Sequence, residues 1–156
     1  MYKITKLTSI FAMAALIASC SGNGNGSAES TVSNTSVEVP STQGVHHISN
    51  AQLEALLKKG VTLIDIRLPE EWAQTGTIAG SKLITFFLAN GQTNQNLVPQ
   101  LLAAAPKDKP VALVCRTGSR TRYAADMISK QLGYQLVYNV EKGITDWISK
   151  GYPVDK

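Results

Sequence analysis

From residue 48 onward the spacing of apolar positions switches repeatedly between a helical period and a near-continuous run, and these switches predict the elements. ISNAQLEALLKKG sets Leu53, Leu56 and Leu57 on one helical face, offers Ser49 or Asn50 as N-cap and stops at Gly60. VTLIDIR is almost continuously apolar, the pattern of a strand covered on both faces. PEEWAQTGTIAGS starts a short helix or turn at Pro69 and Glu70, then two glycines break the chain ahead of the strand-like KLITFFL. A helix is predicted from about residue 96 to 105, ended by Pro106, and VALVC reads as the central strand. SRTRYAADMISKQLG is a helix ended by Gly133, QLVYNV a strand and ITDWISKG a closing helix. Strands alternating with helices predict an α/β fold: a mainly parallel sheet with right-handed crossovers and helices on both faces. No internal repeat interrupts this order.

The N-terminus follows another pattern. MYKITKLTSIFAMAALIASC carries Lys3 and Lys6, then about twelve apolar residues, then Cys20, and that apolar run is short of the roughly twenty a membrane span needs. It fits the hydrophobic region of a signal peptide. Ile17, Ala18, Ser19 and Cys20 resemble the bacterial lipobox, which implies a signal peptide over residues 1–19 and a lipid anchor on the Cys20 sulfur, although an ordinary signal peptide with an incidental cysteine is the plainer alternative. Residues 21–44 are dominated by Ser, Gly, Asn and Thr and cannot bury enough surface to offset their ordering entropy, so a flexible tether over 20–44 and a folded domain over 45–156 are expected. Ser21 after the anchor cysteine favours, on the lipoprotein resemblance, an outer-membrane location in the cell envelope facing the periplasm.

Composition narrows the partners. An apolar share of 44% with 17% charged residues is that of an ordinary soluble domain with one core. The net charge of +4 is modest and includes the two leader lysines. Nucleic acid is not implied; Arg116, Arg120 and Arg122 form the one dense basic patch, and it suits a small anion. Two cysteines in an exported chain first invite a disulfide, but a lipidated Cys20 would leave Cys115 unpaired.

Cys115 is the chemical focus. In VALVCRTGSR it closes a buried strand at the carboxyl end, where open α/β sheets bind ligands. If Arg116, Thr117, Gly118, Ser119 and Arg120 wrap around the thiol, their amides converge on the sulfur, the next helix points its positive end at it and two guanidiniums flank it. All three favour the nucleophilic thiolate. An inert strand-end cysteine is the bland alternative, and such a position has no use for a cationic, donor-rich cradle.

LIDIRLPEEW, GTIAGS, VCRTGSR and VYNVEKGITDWISKGYPV, taken in this order, resemble the successive motifs of a single rhodanese domain over about residues 47–153. Thr77 and Ala79 depart from the usual His and Pro, and Lys142 stands where a first glycine is usual. The resemblance implies a rhodanese-like fold with a five-stranded sheet, and a sulfurtransferase that moves sulfur from thiosulfate to cyanide or a thiol through a Cys115 persulfide. It implies that the loop amides hold the persulfide and that Arg116 and Arg120 bind the donor's sulfonate. The C-x4-R spacing from Cys115 to Arg120 disfavours the phosphatase pattern, C-x5-R, and the loop lacks the sequence that would point to mercaptopyruvate. Asp65 and Arg67 look like the family's structural pair, with Arg67 expected to meet Glu70 or Glu71.

The remaining candidates read as scaffold: Asp126 as a solvated helix residue, Trp72 and Trp147 as core, and His46 and His47 as solvated residues at a linker boundary. No cofactor or metal is expected, and the domain is expected to be a monomer. The acceptor must be an external thiol or protein, since Cys115 has no partner in its own chain. The competing reading is a membrane-tethered, non-catalytic rhodanese-like binding or sulfur-sensing module; inactive relatives typically lack the cysteine that this chain keeps.

Overall fold

The computed structural model describes residues 37–156. The expected signal peptide, Cys20 and most of the tether lie outside them. Within them ten elements follow one another: β1 (Gly44–Ile48), α1 (Asn50–Lys58), β2 (Thr62–Asp65), α2 (Pro69–Thr75), β3 (Lys82–Leu83), α3 (Leu97–Ala104), β4 (Val111–Val114), α4 (Ser119–Leu132), β5 (Leu136–Val140) and α5 (Gly143–Ser149). The strands form a five-stranded sheet in the order β1-β5-β4-β2-β3, and each neighbouring pair is parallel.

The continuous apolar run of β4 follows from its central position, because side chains alternate between faces. Val111, Leu113 and Cys115 join Leu97, Leu101, Ala124 and Ile128 beneath α3 and α4. Ala112 and Val114 join Leu53, Leu56, Ile144 and Trp147 beneath α1 and α5. Helices cover both faces, as the sequence predicts. Ser49 caps α1 through a reciprocal box, its Oγ accepting from Gln52 N at 3.3 Å while Ser49 N donates to Gln52 Oε1 at 2.9 Å.

Three expectations change. Packing contacts reach back before residue 45: Gln52 Nε2 donates to the Glu38 carbonyl at 2.7 Å and Tyr138 Oη to the Pro40 carbonyl at 2.6 Å. His46 and His47 are strand residues of β1, paired in register with Tyr138 and Asn139, and His46 Nε2 donates to the Thr42 carbonyl at 2.8 Å. The KLITFFL strand shortens to two residues. Ile84 N and Phe86 N still donate to the Asp65 and Ile66 carbonyls at 3.0 and 3.2 Å, carrying the chain along β2 to the sheet's carboxyl edge.

Candidate active site

Cys115 follows the last residue of β4 and is fully buried. Gly118 N donates to its Sγ at 3.2 Å, and Thr121 Oγ1 lies 3.5 Å from the same sulfur while donating to the Gly118 carbonyl at 3.0 Å. Of the loop amides expected to converge, Gly118 N is the one that donates to the sulfur. The loop turns through Gly118 at φ 89°, a left-handed conformation, and any Cβ there would collide with the Glu141 carbonyl. Directly after it begins α4, fourteen residues long, with its positive dipole end at the loop.

The first turn of α5 grips the same loop from outside. Ile144 N and Thr145 N donate to the Cys115 and Arg116 carbonyls at 2.9 and 3.1 Å. Gly143 makes this approach possible, since a Cβ on it would stand 2.5 Å from both carbonyl oxygens. Gly143 and Thr121 are thus site residues that sequence reasoning did not single out; the glycine in VEKGITDW was its only trace. The usual first glycine is replaced by Lys142, which is exposed at the start of this helix.

Two ion pairs lie behind the loop. Arg67 does not meet a Glu70 or Glu71 carboxylate. Its Nε donates to Asp65 Oδ1 and Oδ2 at 2.9 and 3.0 Å, its Nη2 to Asp65 Oδ2 at 2.7 Å and to the Gly76 carbonyl at 2.8 Å, and its Nη1 to Thr75 Oγ1 at 2.7 Å. Asp65 is two residues away and equally buried, so it captures the guanidinium, leaving the backbone carbonyl of Glu71 as that residue's one contact with Arg67, at 3.2 Å. The Glu71 carboxylate instead takes a two-pronged bond from Arg120, Nη1 to Oε2 at 2.7 Å and Nη2 to Oε1 at 2.6 Å. Arg120's hydrogen bonds hold the Glu71 carboxyl below the usual carboxylate range, against the opposing effect of burial. Glu71 in turn keeps Arg120 firmly charged, and Cys115 acts on Arg120 in the same direction. Arg120 is thus bound to the Glu71 carboxylate and feels the thiol electrostatically.

Arg116, Thr117 and Ser119 point outward and are exposed, and Arg116 forms no ion pair among the described residues. Arg122, the third arginine of the patch, lies 4.0 Å from Glu141. Asp126 is exposed and reaches Lys130 at 3.3 Å, while Trp147 is buried with its Nε1 donating to the Pro153 carbonyl at 2.9 Å. Beside the loop, α2 and α5 wall a cavity of about 190 Å³ that Arg116 borders. The sulfur accepts one backbone N–H, and the uncommitted Arg116 guanidinium at the cavity beside the loop can receive an anion.

Residues 49–150 match the rhodanese-like domain. The chain is 35% identical over 94 residues to a sulfurtransferase of Allochromatium vinosum, covering 60% of this chain and 78% of that protein. It is 32% identical over 108 residues to the thiosulfate sulfurtransferase GlpE of Pseudomonas aeruginosa, covering 69% and 87%. A crystal structure of a rhodanese-related protein from Thermoplasma volcanium superposes with a TM-score of 0.55 at 34% identity, over 70% of this chain and 96% of that one. A crystal structure from M. tuberculosis gives a TM-score of 0.60 at 24% identity, over 73% and 98%, which speaks to the fold alone.

Proposed function

The chain belongs to the rhodanese-like domain family, with sulfurtransferases among its relatives, and from that premise we propose that it moves a sulfane sulfur from thiosulfate to a thiophilic acceptor through a persulfide on Cys115. In the first half-reaction the Cys115 thiolate attacks the outer sulfur of thiosulfate; the S–S bond of the donor breaks, its electron pair leaves with sulfite, and the enzyme keeps Cys–S–S⁻. In the second, cyanide or a thiolate takes the outer sulfur and the bonding pair returns to Cys115 Sγ. Splitting the transfer this way replaces one difficult step by two easier ones.

The observation that carries this reading is the placement of Cys115 Sγ, within 3.2 Å of the Gly118 amide at the start of α4. Arg120, clamped by Glu71, serves the sulfur's charge. Arg116, exposed and unpaired among the described residues, is the cation for the sulfonate of the incoming donor, with Thr117 and Ser119 at the loop rim. A non-catalytic docking or sulfur-sensing module is the second reading, favoured by the complete burial of Cys115. Catalytic geometry commonly tightens only with substrate bound, so burial does not decide against attack.

For the rest of the chain we propose a lipid anchor on Cys20 after removal of residues 1–19, a short tether, and a monomeric domain working in the cell envelope at the outer membrane, facing the periplasm. Mass spectrometry of the chain after thiosulfate, and again after cyanide, tests the chemistry. One added sulfur on Cys115 that cyanide removes as thiocyanate is the expected result, and Cys115→Ser is expected to abolish it without unfolding the domain. Full turnover by Cys115→Ser would sink the assignment.

A further inference from the structure

With Cys20 taken up by the proposed lipid anchor, the persulfide is discharged from outside; among the described residues Cys115 is the only cysteine. We propose that the cavity between α2 and α5 is the acceptor subsite and that it selects a small thiol bearing a carboxylate; this rests on the Cys115 persulfide reading. The cavity shares its walls with the loop. Arg116 follows Cys115 in the chain, Ile144 and Thr145 hold the loop carbonyls, and Glu71 holds Arg120, and all four line it.

Charge and shape define the occupant. Arg67 is neutralised by Asp65 and Glu71 by Arg120, so Arg116 leaves the cavity with one uncompensated positive charge. Gln74 and Thr145 add side-chain polar groups that make no hydrogen bond among the described residues, beside an apolar floor of Ile144 and Ile148. Thiosulfate has no carbon to place on that floor, whereas the methylenes linking a thiol to a carboxylate fit it. The volume, about 190 Å³, slightly exceeds the roughly 150 Å³ apolar cavity that accepts benzene and is below the roughly 300 Å³ at which drug-sized pockets begin. It holds a molecule the size of mercaptoacetate or cysteine.

In this site the acceptor R–SH loses its proton to solvent, and R–S⁻ attacks the outer sulfur of the Cys115 persulfide. The Sγ–S bond breaks, R–S–S⁻ leaves, and the electron pair stays on Sγ, regenerating the thiolate with no external oxidant or reductant.

The test uses the full chain with thiosulfate as donor and three acceptors: cyanide, 2-mercaptoethanol and mercaptoacetate. Mercaptoacetate is expected to show the lower KM of the two thiols. Ile148→Glu, a substitution at an exposed position, sets a like charge against its carboxylate and, at saturating thiosulfate, is expected to raise that KM about tenfold and the KM of neutral 2-mercaptoethanol by about twofold at most. Equal KM values for the charged and neutral thiols, or no response to Ile148→Glu, would overturn the subsite while cyanide turnover kept the sulfurtransferase reading intact. A rise in the KM of mercaptopyruvate offered as donor, with the thiol acceptors unmoved, would also overturn it by making the cavity a donor site. Propionate titrated into Cys115→Ser, read from the Ile144 and Ile148 methyl NMR signals, tests the cavity without turnover: shifts at both, with the Ile144 shift weakened when Ile148→Glu is added, support it, and silent methyls refute it even if no acceptor is ever turned over.

Discussion

The two ion pairs that meet at Glu71 are built alike and surrounded differently. Asp65 and Arg67 are 0% and 1% exposed, whereas Glu71 and Arg120 keep 19% and 28% of their side chains in solvent. A guanidinium with no access to water survives only when its donors are fully partnered, and Arg67 spends its own on Asp65, Thr75, Gly76 and the Glu71 carbonyl. This pair ties the end of β2 to the end of α2. The second pair ties α2 to the first turn of α4, where the Cys115 thiol also acts on Arg120. The first belongs to the scaffold and the second to the site, although one residue touches both.

Breaking the buried pair has the largest expected effect. Asp65→Asn leaves Arg67 buried without a counter-charge and is expected to cost about 3–5 kcal/mol in urea unfolding; a loss under about 1 kcal/mol would put the pair in the class of surface bridges. Glu71→Gln should cost less, about 1–2 kcal/mol, between the exposed and buried ranges. Its signature is kinetic. With Arg120 no longer fixed, kcat with thiosulfate and cyanide is expected to fall about tenfold at nearly constant thiosulfate KM, short of the 10²–10³ lost when a charge-stabilising donor is removed outright. Arg116→Met should do the opposite, raising the thiosulfate KM, and identical behaviour of the two variants would erase the division of labour between the arginines.

Acid offers a gentler probe. The Glu71 carboxyl is held below its ordinary value of 4.5, chiefly by Arg120. Its contribution to stability is therefore complete above that ordinary value and is lost as pH falls through the lowered folded value. The stability gap between the native chain and Glu71→Gln, followed by urea unfolding from neutral pH downward, is expected to hold steady and then close in that acidic window; a gap independent of pH would mean that the carboxylate's charge contributes nothing. Salt should do least. At about 1 M the partly exposed pair is screened and the Glu71→Gln difference shrinks by about a few tenths of a kcal/mol, while the Asp65→Asn cost stays as it was.

How much of this could be read in advance depends on the range of the interaction. The α1 cap is a four-residue affair, and Ser49 and Gln52 announce it. The end of α4 at Gly133 is likewise local, a left-handed C-cap with open space around it. Gly118 has the same handedness for another reason, since the Glu141 carbonyl occupies the space a side chain would need. The sequence shows both glycines and only the fold tells them apart. β1 escaped notice because GVHHI has no strict alternation; an edge strand with one neighbour is held by the ladder to β5 more than by its own side chains.

From α1 onward, sequence alone determined the alternation of strands and helices, the mainly parallel sheet and the position of Cys115 at its carboxyl edge, because apolar period, glycine stops and strand-to-helix connections act within a few residues. Tertiary structure decided the partners. Asp65 captured Arg67, Glu71 was left for an arginine 49 positions away, and Gly143 brought α5 against the loop. No local pattern encodes these choices, since they depend on which charges are buried together once the sheet has closed and on how nearly two backbones can touch.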